Sequence, residues 1–269
     1  MSSLGDVAAS RELLWNLTLR ELRGKYKRSA LGWSWSLVNP LVTMAIFTVV
    51  FGVFLKAGPD KGDPSGLDVF ALWLLCALLP WNFVANTLNG GAVALVGNGN
   101  LIKKVYFPRQ TLVGAVVGAN LVNLLIELGV LCVALLVVGN NVLVWIPGAL
   151  VVTALLVVFT LGLSLALSVL NVYFRDTQHF LAIFLQLWFY ASPIVYPSKL
   201  VQGHVAGGWW NLYEANPFFR FAEAYRNLLY DLRWPDWGTL GLLVAWSAVS
   251  VVAGWWIFGR LEGRLAEEL

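Results

Sequence analysis

Charge is scarce in this chain. Only 12% of its 269 residues are Asp, Glu, Lys or Arg, against 59% hydrophobic, and the mean hydropathy is +0.72. A soluble domain of this length must cover its surface with far more charge. Cysteine is nearly absent. Cys76 and Cys132 both fall inside apolar runs, which excludes a disulfide framework or a thiolate metal site. The two histidines, His179 and His204, have no cluster of partners, and no site is assigned to them. No G-x-x-x-x-G-K-[ST] occurs, so the chain has no loop of its own to cradle ATP phosphates. No D-x-D pair and no cluster of acids on the expected cytoplasmic side are found, which argues against a membrane glycosyltransferase. There is no internal repeat and a single charged residue deep in a span, which argues against an ion-coupled transporter or channel. The first 36 residues hold six Lys/Arg and no apolar core, so no cleaved signal peptide is expected. The net charge of +3 does not indicate nucleic-acid binding, because the cations lie beside apolar runs and not in a patch of their own.

What the chain does have is uncharged stretches long enough to cross about 30 Å of hydrocarbon, for which about 20 residues suffice. They predict an all-α polytopic membrane protein, one transmembrane domain over residues 1–269. Residues 1–35 form an N-terminal amphipathic interface helix, 36–258 six spans and 259–269 a short tail. The spans are placed at about 36–55, 69–88, 111–138, within 142–174, 180–196 and 237–258. Pro40 lies near the start of the first, where a missing amide is tolerated, and Pro80 is expected to kink the second. Ser10 is a candidate cap for the first helix, with Glu12 in its first turn, where the dipole favours an anion. Trp15, Leu19, Leu22 and Tyr26 give this helix an apolar stripe, with Arg11, Arg20, Arg23, Lys25, Lys27 and Arg28 around it. Such a helix lies in the headgroup layer against membrane lipid. Leu13 and Leu17 fall off that stripe, which points to contact with protein. Between spans 5 and 6, residues 198–236 are too polar to span yet rich in aromatics. Asn216-Pro217 is a cap and first turn for a helix to about Leu232, with Phe218, Phe221, Ala222, Tyr225, Leu228, Leu229 and Leu232 on its apolar face. Its length suits a re-entrant helix.

Six spans place both termini on one side. That side carries twelve Lys/Arg and the other six, so the termini and the link between spans 2 and 3 are expected to be cytoplasmic. The link, Asn98 to Arg109, carries Lys103, Lys104 and Arg109 and no acid, and Pro108 stiffens its exit. Such cations attract a soluble partner or a phosphate, or simply fix topology and bind headgroups. Inside the spans, Asn120, Asn123 and Glu127 share a face of span 3. A carboxylate there marks either a pathway or a bond between helices. Phe47, Phe51 and Phe54 of span 1, with Phe184, Trp188 and Tyr190 of span 5, are candidates for lining a sugar path, since sugars stack on aromatic rings. The same residues also suit packing or a lipid-facing belt.

Several stretches resemble one family, the permease subunits of ABC-2 type exporters for lipid-linked polysaccharides such as O-antigen and teichoic acid. Arg23-Gly24-Lys25-Tyr26-Lys27-Arg28-Ser29-Ala30-Leu31-Gly32-Trp33-Ser34-Trp35, followed by Asn39-Pro40-Leu41, resembles its N-terminal signature. Asn100 through Arg109 resembles its loop between spans 2 and 3. Arg175-Asp176 fits the turn after span 4, and Ser192-Pro193-Ile194-Val195-Tyr196-Pro197 and Asn216-Pro217 resemble the motifs flanking its outer gate. The resemblance implies a transport subunit, not an enzyme, in the cell inner (plasma) membrane. It implies a homodimer around one pathway, served by two separate ATP-binding subunits that hold ATP and Mg, with no cofactor in this chain. The docking surface would be the N-terminal helix and the link: Arg23, Lys25, Asn100, Leu101, Lys103, Lys104, Phe107 and Arg109. Outer helices near Trp209–Leu212 and Pro217–Leu232 would gate the exit. The cargo would be a polyprenyl-diphosphate-linked glycan, its diphosphate met by Arg28. An exporter of drugs or simple lipids is the nearest rival.

Overall fold

The computed structural model describes residues 10–26, 34–54, 61–202 and 208–268. Every regular element among them is helical. In chain order these are α1 (Arg11–Tyr26), α2 (Trp35–Phe47, continued as a π-helical stretch Thr48–Phe54), α3 (Phe70–Gly97), α4 (Gly99–Lys104) and α5 (Gln110–Val137). There follow α6 (Ile146–Tyr173), α7 (Thr177–Tyr190), α8 (Ser198–Gln202), α9 (Gly208–Glu214), α10 (Pro217–Tyr225, continued as a π-helical stretch Arg226–Asp231), α11 (Trp237–Leu261) and α12 (Leu265–Glu268). Four helices among the described residues are long and apolar enough to cross a membrane: α3, α5, α6 with the turn before it, and α11. At 1.5 Å per residue the 28-residue α3, α5 and α6 are each about 42 Å long. α2 with its continuation and the 14-residue α7 are shorter.

α3 is the axis of the bundle. α5, α6, α7, α10 and α2 all pack on it, and it is the most buried of the four long helices. It runs unbroken through Pro80 and past Leu88 to Gly97, nine residues beyond the expected end. The Asn89-Gly90-Gly91 sequence interrupts the apolar run but not the helix, because Gly91 packs directly on Ser164 of α6, where a side chain would collide. α6 and α11 make the most extensive pairing in the molecule. They meet backbone to backbone at Gly162 and Gly254, with Ser250 Oγ donating to Phe159 O (2.6 Å) and Ser247 Oγ to Leu155 O (2.9 Å) across the contact. Small residues that admit close approach, with hydroxyls bridging to carbonyls, are the usual means of joining helices where no water drives them together.

α1 packs on protein beside its expected lipid-facing stripe and through one member of it, Leu22. Trp15 is 62% exposed, whereas Leu17, Thr18 and Leu22 are buried and α1 lies along α5. Leu14 sits over Gly114 and Thr18 over Gly118, one turn apart on each helix. This notch on α5 sets the phase of α1, and it agrees with the off-stripe positions of Leu13 and Leu17.

The segment after α7 is tied into the bundle. Asn216 caps α10 by accepting from Phe218 N (3.0 Å), and Pro217 occupies the first turn. The helix continues to Asp231 and ends at Leu232, in the left-handed conformation with φ 62°. Phe218, Phe221, Ala222, Tyr225, Leu228 and Leu229 are buried as their spacing requires, while Leu232 is half-buried. Asp236 then caps α11. The Thr239 amide and hydroxyl both donate to its carboxylate, at 2.8 Å each, and hold it below the usual carboxylate range.

Candidate functional site

Two regions gather the polar chemistry of the fold. The first is the link at one end of the bundle. Asn98 ends α3, and α4 follows immediately as one and a half turns of helix. Ile102 points inward and joins a second apolar cluster with Leu17, Leu95, Leu112, Val169, Phe258 and Leu265. Asn100, Lys103, Lys104 and Val105 are exposed, Tyr106 is fully exposed, and Leu101 and Phe107 are half-buried. Arg109 is engaged: its Nη1 donates to Glu262 O at 2.6 Å. Tyr173 OH, at the end of α6, donates to Leu261 O (2.9 Å) beside it, so the link and α6 are both bonded to the end of α11. The link therefore presents two cations and a bare aromatic ring on a base that cannot flex independently. Arg23 of α1 is exposed; the side chain of Lys25, and all of Arg28, lie outside the described residues.

The second region is the aromatic knot where α3, α6, α7 and α10 meet. Trp81 makes edge contacts with Trp188 and Phe218, and Phe159 meets Trp188 and Phe221. Trp188 is half-buried here, with its Nε1 donating to Asn216 Oδ1 at 2.7 Å. Asn216 also donates to Ala191 O and to Ser192 Oγ, so one carboxamide joins the end of α7 to the start of α10. Arg226 lies close by and is 3% exposed. Its guanidinium stands 3.5 Å over the Trp73 ring, Nη1 donates to Pro193 O (2.6 Å) and Nη2 to Ile194 O (2.8 Å), and Glu223 lies at 3.6 Å.

The aromatic candidates divide. Phe184 meets Trp188 at a tilt, with ring centroids 5.4 Å apart, and both Phe184 and Tyr190 are exposed. Phe47 packs against the main core, whereas Phe54 is 75% exposed. The π-helical stretch from Thr48 widens the turn, so a face counted at α-helical spacing does not stay on one side. The side chain of Phe51 lies outside the described residues. Glu127 is half-buried on α5, and Asn120, two turns before it, is buried. Among the described residues no group of three His, Cys, Asp or Glu is placed to hold a metal.

Three sets escaped the reading of the sequence as site residues. Tyr106 was in view within the link but not singled out, though an exposed Tyr beside two Lys is itself an interface signal. Arg226, a lone cation on the apolar face of α10, is placed by contacts more than 30 residues away along the chain. Asn82, Asn86 and Asn89 form an i, i+4, i+7 stripe inside a span, a pattern that periodicity alone brings out.

The ABC-2 type transporter family matches residues 12–230, from the first turn of α1 through the end of α10. The O-antigen export system permease protein RfbA of Myxococcus xanthus is 32% identical over 96% of this chain and 94% of its own length. An O-antigen export system permease protein RfbA of Klebsiella pneumoniae is 29% identical over 96% and 95%. The polysialic acid transport protein KpsM of Escherichia coli is 23% identical over 88% and 89%. The match takes in the N-terminal helix, the link, three of the four long helices and α10 in order, and on it the chain belongs to the ABC-2 type transporter family, as a membrane subunit of a transporter.

Proposed function

We propose that this chain is the permease subunit of an ATP-driven exporter that moves a polyprenyl-diphosphate-linked polysaccharide from the inner to the outer face of the cytoplasmic membrane, for assembly of the cell envelope. The observation that carries this is the full-length likeness to permeases named for O-antigen export. It favours polysaccharide over a drug or simple lipid. Two copies form the conduit, and two ATP-binding subunits supply the energy that a chain without a phosphate-binding loop cannot. In this reading α2 and α7 complete six crossings. The 14 residues of α7 cover only about 21 Å, and the turn at 191–197 with the α10 hairpin occupies the rest of the thickness as a re-entrant exit gate. The excess of Lys/Arg on one side supports a cytoplasmic location for the link and both termini.

The link is the point of coupling. Lys103, Lys104 and Tyr106 are exposed, and Ile102 and Arg109 tie the same short link to the bundle, Ile102 through the second apolar cluster and Arg109 through Glu262 O. Closure of the ATPases on nucleotide then acts on a rigid arm and not on a slack loop. Arg23 and Lys25 of α1 extend the docking face, and Arg28 meets the diphosphate of the cargo.

Depletion of the chain in its source cell tests the export role. Lipid-linked glycan is expected to build up on the inner face, and an unchanged outward flux would reject the assignment. The docking role makes a separate prediction. Lys103→Glu with Lys104→Glu should lower ATPase co-purification about tenfold or more, since charge reversal sets like charges against whatever acidic patch receives the link. Tyr106→Ala should cost about 2 kcal/mol, roughly 30-fold in affinity, as buried interface tyrosines do. Wild-type co-purification by both variants would remove the link from the interface.

A further inference from the structure

α3 is buried on every side but one. Along its 28 residues only positions 82, 86, 89, 93 and 97 are exposed, and they lie on one stripe: Asn82, Asn86, Asn89, Val93 and Gly97. Three of the five carry a carboxamide. A polar side chain turned to hydrocarbon is costly, and spans place such groups toward protein or a water-filled space. The most enclosed helix of the bundle thus spends its single open face on the side chains that lipid tolerates poorly.

The stripe leads into a cavity of about 550 Å³ between α1, α3 and α5, within the range of small-molecule sites. Asn86, Gly90 and Gly97 form one wall, Asn120 of α5 another, and Arg20 and Asn98 close the end nearest the link. The charges there are balanced. Arg20 Nη2 donates to Asn98 Oδ1 (2.8 Å) and to Glu21 Oε1 (3.0 Å). A site for a bare phosphate concentrates unpaired cations. This one offers the Asn86 carboxamide, both donor and acceptor, beside an Arg already paired with an acid; Asn98 accepts from Arg20 and donates to Ala94 O (2.8 Å), and Asn89 farther along the stripe donates to Ala85 O (2.9 Å). That combination fits vicinal hydroxyl groups, which also donate and accept and carry no charge.

We infer that Asn82, Asn86 and Asn89, with the cavity beside Arg20 and Asn120, bind the saccharide part of the cargo through its hydroxyl groups, forming a hydrogen-bonding lane along α3. The inference rests on the export reading and deepens it. It separates the duties of two surfaces: the carboxamide lane holds sugar hydroxyls sideways, and the exposed rings of Phe184 and Tyr190 offer faces to stack on. Each carboxamide bond is individually weak and exchangeable with water, so a chain of sugars can step along the lane without being trapped.

The test uses the full transporter with its ATPase partner in membranes of the source cell. In a chain otherwise unchanged, Asn86→p-benzoylphenylalanine and Asn89→p-benzoylphenylalanine are expected to photo-crosslink to lipid-linked glycan. The same probe at the exposed Val249 and Val252 of α11 should capture lipid only. Asn82→Leu, Asn86→Leu and Asn89→Leu combined should lower glycan export about tenfold or more, with membrane level and co-purification of the ATPase partner as in wild type. Asn→Gln at the same positions should restore most of the export. Crosslinks from positions 86 and 89 to a second copy or to lipid alone would overturn the lane, and so would full export by the triple Leu variant. If that variant fails to accumulate, the crosslinks decide. If depletion of the chain leaves export intact, the export reading itself fails; if depletion blocks export but the lane variants export normally, the lane alone fails.

Discussion

Gly254→Leu is expected to leave no correctly folded protein. At the crossing of α6 and α11 a Cβ on Gly254 would run into the carbonyl and Cα of Gly162, and one on Gly162 into the backbone of Ser250 and Val251. These neighbours are main chain and cannot rotate away. The helices would have to part along their most extensive contact, and the cross-helix bonds of Ser250 and Ser247 to Phe159 and Leu155 would be lost with it. Overpacking costs about 1–3 kcal/mol even where side chains can adjust, and each bridging hydroxyl adds roughly 0.6 kcal/mol. Together these come to about 2–4 kcal/mol, and with no adjustment available the cost is expected to exceed that and to take up a large part of a stability of about 5–15 kcal/mol. Thermal unfolding of detergent-solubilised protein, with membrane yield, gives the measure. Gly254→Ala should fall between wild type and Leu, while Gly241→Ala on the same helix, where a Cβ meets nothing, should behave as wild type. A wild-type melting temperature for Gly254→Leu would refute the backbone contact.

Arg226→Gln should release the hairpin from the bundle. The guanidinium serves two carbonyls in the turn after α7, an acid on its own helix and a ring of α3 at once. Glutamine is too short to bridge these and has no charge to set over Trp73. Two buried acceptors then lose their donors, for a cost of about 3–5 kcal/mol. Arg226→Lys should recover little, because a point charge cannot copy a planar fork that bonds two carbonyls side by side. Cys76 offers a local reading. It lies one turn from Trp73 and is fully buried, whereas Cys132 is half-buried and can be replaced by Ser. Maleimide labelling of Cys76 should be slow in the parent and many-fold faster in Arg226→Gln. Unchanged labelling with an unchanged melting temperature would show that the hairpin is held by its apolar face alone.

The sequence was most legible where one local signal decides the outcome. Uncharged length placed α5, α6 and α11 within a few residues, and Asn216-Pro217 marked the start of α10 because cap and first turn are both chosen by adjacent residues. It was least legible where the answer sits elsewhere in the chain. α1 turns Leu14 and Thr18 toward α5 because Gly114 and Gly118 leave room there, a hundred residues on. Arg109 looked like a free cation for a partner, yet a carbonyl 153 residues later takes its donor. Trp188 looked like a pathway residue, and Asn216 occupies its indole nitrogen. In each case composition named the residue and tertiary contact chose its neighbour.

The order in which the chain is synthesised sets a further condition on α3. Of the four long spans it is the least hydrophobic, and it precedes α5, α6, α7 and α10, most of the helices that later enclose it. It is apolar enough to cross, yet hydrocarbon favours it less than the other three, given Pro80 and its asparagines. The helices translated afterwards are therefore expected to add to its retention by packing on its apolar sides, so that truncation after α3 should lower its stable insertion.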